Sequence, residues 1–204
     1  NANGINREGA DCIVIKGFTV INQPRTGIRS VLNEHVTIRN NVADNNGKWG
    51  ILTGWSDDLL IENNVMSRSQ VEHGIYVSNS GDRPVIRGNT VWGNFGNGIH
   101  MNGDIEAGFG DGIISGALVE NNVIYDNGGG SSINCDGVQN PVFPNNLIHG
   151  ARASAISLYQ INAAEGSKNN LVVNNTILVG PNGRWALNIL PNSPGNTVRN
   201  NILY

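Results

Sequence analysis

The sequence predicts an all-β fold: a right-handed parallel β-helix of about seven to eight coils, with an Asn ladder inside it. Two interleaved repeats and a period-two apolar pattern carry that prediction. The first repeat reads Ile38-Arg39-Asn40-Asn41-Val42, Ile61-Glu62-Asn63-Asn64-Val65 and Ile86-Arg87-Gly88-Asn89-Thr90. It returns as Val119-Glu120-Asn121-Asn122-Val123, Phe143-Pro144-Asn145-Asn146-Leu147, Val172-Val173-Asn174-Asn175-Thr176 and Val198-Arg199-Asn200-Asn201-Ile202. Its second Asn advances by 23, 25, 33, 24, 29 and 26 residues. A repeat of this length is one supersecondary unit that buries its apolar face only against its neighbours.

The second repeat is Gly-Ile, at Gly27-Ile28, Gly50-Ile51, Gly74-Ile75 and Gly98-Ile99, degraded later to Ser132-Ile133, Ala155-Ile156 and Ala186-Leu187. Each coil therefore holds at least two short apolar segments. Val36-Thr37-Ile38 and Ile75-Tyr76-Val77 alternate with period two, as strands do. Gly and Asn are too frequent for long helices, and the crossover rule selects the right-handed coil.

Stacking converts equivalent positions into columns about 4.8 Å apart. Two apolar columns are expected inside: Ile15, Ile38, Ile61, Ile86, Val119, Phe143, Val172 and Val198, then Ile28, Ile51, Ile75, Ile99, Ile133, Ile156 and Leu187. The second Asn of each pair forms a third column, from Asn41 to Asn201. An unsatisfied buried amide costs about 1–3 kcal/mol, but stacked amides bond one another, and Asn also tolerates the left-handed backbone of a sharp corner. Cys12 and Cys135 fall four coils apart, about 19 Å, beyond the roughly 7 Å that a disulfide spans. Cys135 is expected as an inward filler in a column with Val77, Met101 and Leu158.

Sixteen acidic residues against thirteen basic give a net charge of −3. That is no nucleic-acid footprint, and no apolar run has the length of a membrane span. The expected organisation is one β-helix domain over 1–204. The chain lacks an initiator Met, opens inside a repeat and closes on the repeat phrase. These features read as a processed product or part of a longer protein, its ends covered by a flanking domain or by end-to-end self-association.

Because the interior is packed, chemistry is expected on outward columns. After each inward Ile the next residue points out: Arg29, Leu52, Tyr76, His100, Asn134, Ser157 and Asn188. Two residues on come Val31, Gly54, Ser78, Asn102, Asp136, Tyr159 and Leu190. The middles of both columns are polar, so Tyr76, Ser78, His100, Asn102, Asn134, Asp136 and Tyr159 are expected to form one patch. The longest insertion, Gly103 to Gly112, lies beside it, and a smaller one, Asn162 to Lys168, falls on the same side. Asp104, Asp111 and Asp136 are candidate Ca²⁺ ligands, Ca²⁺ being a hard cation that takes oxygen donors; the alternative is solvated turns. His73 sits near a corner, with its direction open. Trp49, Trp55 and Trp185 present flat faces to sugars or cover corners. Arg83 and Arg87 are candidates for bidentate carboxylate binding, against surface pairing with Asp82.

His73-Gly74-Ile75-Tyr76-Val77-Ser78-Asn79-Ser80, Gly98-Ile99-His100-Met101-Asn102-Gly103-Asp104 and Ile133-Asn134-Cys135-Asp136-Gly137 resemble the right-handed parallel β-helix repeat family, within the pectate-lyase-like superfold of bacterial secreted proteins. The resemblance runs along most of the chain and implies a secreted or periplasmic bacterial protein. The superfold includes polysaccharide lyases, uronate epimerases, galacturonan hydrolases and non-catalytic relatives. The Asp-Pro-His signature of alginate epimerases, the hydrolase aspartate motif and the Arg-centred pectate lyase motif do not occur here.

The leading expectation is action on an acidic polysaccharide, by β-elimination or C5 epimerisation of uronate residues. That chemistry needs a base, a group that neutralises the carboxylate and, for elimination, an acid at the leaving oxygen. His100 is assigned as base and Tyr76 as acid, with His73 a third catalytic candidate. Asn102, Asn134, Tyr159, Arg83 and Trp49 are assigned to substrate, and Asp104 and Asp136 to a possible Ca²⁺. An inverting hydrolase built on Asp104 and Asp136, which needs carboxyls roughly 6.5–9.5 Å apart, and a non-catalytic carbohydrate-binding or structural module are the alternatives.

Overall fold

The computed structural model describes residues 3–204, so residues 1–2 of the expected domain lie outside the described residues. Three eight-stranded parallel sheets run the length of a solenoid. The first contains the longer strands, including Trp49–Gly54, Ile75–Ser78, Ile99–Asn102, Ile133–Asp136, Ser154–Tyr159 and Trp185–Ile189. The second runs from Val14–Lys16 to Thr197–Arg199, and the third from Thr19–Ile21 to Ile202–Leu203. A short bridge, Ile114–Ser115 with Val138–Gln139, lies outside them. Among the described residues no helix is long and apolar enough to cross a membrane.

The predicted columns are the observed registers. Ile28, Ile51, Ile75, Ile99, Ile133, Ile156 and Leu187 are successive partners in the first sheet. Ile38, Ile61, Ile86, Val119, Phe143 and Val172 are almost completely buried in the second. Cys135 is buried between Met101 and Leu158, and burial raises its thiol pKa, while Cys12 is exposed. Strands of three residues succeed because each inward side chain packs on equivalents one coil above and below.

The Asn ladder is continuous. Nδ2 of Asn41, Asn64, Asn89, Asn122, Asn146 and Asn175 donates to the next Asn Oδ1 at 2.9–3.1 Å. The same Oδ1 also accepts that coil's backbone N–H, as Asn122 does from Asn89 at 2.9 Å. The paired Asn residues divide the work. Asn40, Asn63, Asn121, Asn145, Asn174 and Asn200 take the left-handed backbone at φ 54–58°, and Gly88 takes it at φ 63°. The second Asn turns inward and forms the ladder. A shorter ladder joins Asn94 to Asn127 at 2.8 Å at the next corner. Ser69 interrupts it on one side, accounting for its invisibility in the repeat.

Candidate functional site

The outward face of the first sheet brings together most of the expected patch. Tyr76, His100 and Asn134 are register partners in neighbouring strands, as are Asn102, Asp136 and Tyr159. The second of these rows is not open: Ser78, Asn102, Asp136 and Tyr159 are all buried. The two insertions cover that edge. Ile105 N donates to Asn162 O at 3.0 Å, and Ala164 N donates to Gly112 O at 3.1 Å, tying the loops together. Trp55 Nε1 donates to Phe109 O at 3.3 Å, fixing the longer loop to an earlier coil. A Cβ on Gly103 would lie 2.0 Å from Gly112 O, so this loop base closes only around glycine.

His73 points onto the face. Its Nδ1 accepts the Asn97 backbone N–H at 3.0 Å. A backbone N–H only donates, so Nδ1 carries no proton and neutral His73 is protonated on Nε2. That nitrogen lies 3.0 Å from His100 Nδ1 and 3.4 Å from the Glu72 carboxylate. Donation along the shorter contact makes His100 Nδ1 an acceptor and puts the His100 proton on Nε2. His100 Nε2 in turn lies 3.4 Å from the Tyr159 hydroxyl oxygen. Asn134 Nδ2 donates to that oxygen at 2.6 Å. One backbone amide thus sets both tautomers, and the resulting His100 Nε2–H converges with the Asn134 amide on one phenol oxygen.

Burial keeps the rings neutral. It lowers the His73 pKa to about 4, helped by the nearby Lys48 charge. It lowers that of His100 to about 3, with His73 contributing. Burial also raises the Tyr159 phenol, with Asp136 adding in the same direction. Tyr76 is raised mainly by burial and partly offset by Asn102, whose Nδ2 donates to the Tyr76 oxygen at 3.3 Å. The Tyr76 ring stacks on His100 at 5.0 Å and on Trp49 at 6.1 Å.

Several assigned roles change. With Nδ1 taken by His73 and Nε2 protonated, His100 is arranged to donate, not to take a proton as a base. Asn102 and Asn134 spend their amides on the two phenols. Trp49 is buried, its ring between Tyr76 and Lys48, and offers no face to a sugar. Arg83 grips the Asp58 carboxylate through Nε and Nη2 at 2.7 and 2.9 Å, so its fork is already filled. Arg87 likewise pairs with Glu62.

The expected Ca²⁺ set does not assemble. Among the described residues no three His, Cys, Asp or Glu side chains group as metal ligands. Asp136 accepts the backbone N–H of Ile161, Asn162 and Ala163 at 2.8, 2.8 and 3.4 Å, and so anchors the smaller insertion. Asp111 is exposed and caps Ile113 N, while Asp104 accepts from Asn79. With both Asp136 oxygens occupied, the two-carboxylate hydrolase site has no free partner. Glu72 and the Asn97 amide escaped sequence reading; the first adjoins His73, but the second is backbone and has no side-chain signal.

Comparison with known proteins now adds to the geometry. The family model described as "Right handed beta helix region" matches residues 1–106. The chain belongs to that family. No curated protein sequence matches it. Among solved structures it is similar to the A-module of the mannuronan C-5 epimerase AlgE6 from Azotobacter vinelandii, at 18% identity and TM-score 0.76, over 95% of this chain and 55% of that one. It is similar to an alginate lyase from Paenibacillus sp. str. FPU-7, at 19% identity and TM-score 0.67, over 95% of this chain and 70% of that one. It is also similar to a DFA-IIIase from Arthrobacter chlorophenolicus, at 16% identity and TM-score 0.64, over 92% and 45%. The chain thus spans about half the length of the epimerase module and of the DFA-IIIase. At these identities the likeness shows the fold.

Proposed function

We propose that this β-helix acts on an acidic polysaccharide, by β-elimination or C5 epimerisation of uronate residues. The observation that carries the reading is the line His73–His100–Tyr159, with Asn134 on the same phenol oxygen. Both reactions remove the proton next to a uronate carboxylate, a weakly acidic position that needs a strong base. A tyrosinate, formed when the Tyr159 phenol gives its proton to solvent hydroxide and held by the His100 and Asn134 N–H donors, is such a base, and its raised pKa gives it strength at the expense of its population. Tyr76, the second phenol on this face, returns a proton: to the leaving oxygen in elimination, or to the opposite face of the carbanion in epimerisation. The names of two similar structures, a mannuronan C-5 epimerase and an alginate lyase, support the substrate class.

The test is incubation of the protein with polyuronates. The readouts are an unsaturated, ultraviolet-absorbing product for elimination and solvent deuterium uptake at C5 for epimerisation. Tyr159→Phe is expected to lower turnover about 100- to 10,000-fold while retaining the native far-ultraviolet spectrum. Turnover should rise with pH without a plateau below about pH 10, the ordinary tyrosine pKa. Unchanged turnover in the variant would refute the role of Tyr159.

A non-catalytic glycan-binding module is the second reading. It is favoured by the close packing of the face: Tyr159 is 8% exposed, and of two surface cavities one is lined by Gln160, Glu165, Lys168 and Pro194 and the other by Phe95, Asp126 and Arg152, none of them residues of the His73–His100–Tyr159 line. Retention of polyuronate without product or exchange would select that reading.

A further inference from the structure

The corner that leads into the first sheet carries charge that neither reading uses. Residues at equivalent positions there are Arg25-Thr26, Lys48-Trp49, Glu72-His73, Gly96-Asn97, Gly130-Ser131, Ala153-Ser154 and Arg184-Trp185. Backbone bonds Lys48 N to Arg25 O, Glu72 N to Lys48 O, Gly96 N to Glu72 O and Arg184 N to Ala153 O hold this row in order. Ser154 and Trp185 are register partners. Six of the thirteen Lys and Arg residues join ion pairs among the described residues. Three of the other seven, Arg25, Lys48 and Arg184, occupy this row, and a fourth, Arg152, precedes its Ala153 position by one residue.

Two of these cations repeat one motif. Lys48 Nζ sits 4.6 Å from the Trp49 ring centroid, with the Arg25 guanidinium 5.6 Å from the same ring. The Arg184 guanidinium sits 6.0 Å from the Trp185 ring. The tryptophans are five coil steps apart, about 24 Å. Between them the row carries one carboxylate, Glu72, 3.4 Å from His73 Nε2, and then Gly96, Gly130 and Ala153 keep the corner low. A cavity of about 390 Å³ opens there, bordered by Phe95, Asp126, Gly128, Gly129 and Arg152. Phe95 is 64% exposed beside it. Unpaired like charges on neighbouring coils repel, and an anion laid along the row relieves that repulsion.

We propose that this corner is a track for an extended polyanionic glycan lying parallel to the solenoid axis, anchored at one end by Arg25 and Lys48 over Trp49 and at the other by Arg184 and Trp185. The middle of such a chain passes His73, which joins the track to His100 and Tyr159. The inference takes its substrate class from the proposed function but does not depend on turnover.

The experiment is calorimetric binding of defined oligouronates to the full chain in a Tyr159→Phe background. One oligomer is long enough to span both anchors and one is too short. Arg184→Gln with Trp185→Ala is expected to weaken the long oligomer about tenfold and the short one less than twofold, removing the preference for length. Arg25→Gln with Lys48→Gln should weaken both and reduce their salt dependence. Arg87→Gln, a paired cation away from the corner, serves as control and should change neither. Equal affinity for long and short oligomers in the parent, or no effect of the Arg184 and Trp185 changes, overturns the track. Equally tight binding of single-stranded DNA of the same charge overturns its assignment to glycan. Native protein that shows length-dependent, anchor-dependent binding but no turnover refutes the proposed activity and leaves the track standing.

Discussion

The Asn corner and the His–Tyr face solve the same problem in different ways. Both bury polar side chains on successive coils. At the corner every rung is the same amide, donor and acceptor at once, so each rung satisfies the next and the pattern extends without direction from outside. On the face the rungs are unlike: imidazole, imidazole, phenol and amide. Their protons must be assigned, and the assignment starts from one backbone N–H, that of Asn97. A ladder of identical groups gives stability, whereas a line of different groups gives protons a fixed place, which is what acid–base chemistry requires.

The sharpest break in this comparison would be chemical: the large loss of turnover expected for Tyr159→Phe, with the fold kept. Next in size is the corner itself. Asn122→Leu leaves the Asn89 Nδ2 and backbone N–H without their acceptor and removes the donor to Asn146. A loss of about 3 kcal/mol is expected despite the added apolar group, read as a lowered denaturant midpoint. An unchanged midpoint would show that the ladder is dispensable.

Acid should separate the two regions further. The folded pKa values of His73 and His100, about 4 and about 3, lie below the ordinary 6.5. Between those values the unfolded chain binds more protons than the folded one, so stability falls as pH drops from about 6.5 towards 3. The Asn ladder has no titrating group. In His73→Gln/His100→Gln protein the stability–pH curve should therefore be flatter over this window, as measured by urea unfolding. A curve as steep as the parent's would place the acid sensitivity elsewhere.

A smaller effect is expected at the rim. Asp136→Asn replaces one acceptor oxygen by a donor facing the amides of residues 161–163, at a cost of about 1–2 kcal/mol. Hydrogen exchange should quicken in that insertion but not in the Asn corner. Uniform exchange changes would mean that Asp136 supports the coil stack and not the loop.

How far the sequence reveals these regions follows from their physics. The corner is periodic, so Asn41 to Asn201 and the two Ile columns are legible from spacing. Stacking also places Tyr76, His100 and Asn134 side by side in the sequence before any coordinates. Which atoms of stacked or neighbouring side chains bond leaves no such trace. The Asn97 amide on His73, the insertion amides on Asp136 and the Asp58 carboxylate on Arg83 are set by local side-chain geometry that the spacing does not encode. That is why Trp49, Arg83 and Asp136 read as free ligands in the sequence and are engaged in the structure.

Nitrogen-15 NMR of the imidazoles tests the relay most directly. Near pH 7 both His73 and His100 should be neutral, each with a protonated Nε2 and a bare Nδ1. A proton on Nδ1 of either ring, or a charged ring at that pH, would contradict the arrangement on which the proposed chemistry stands.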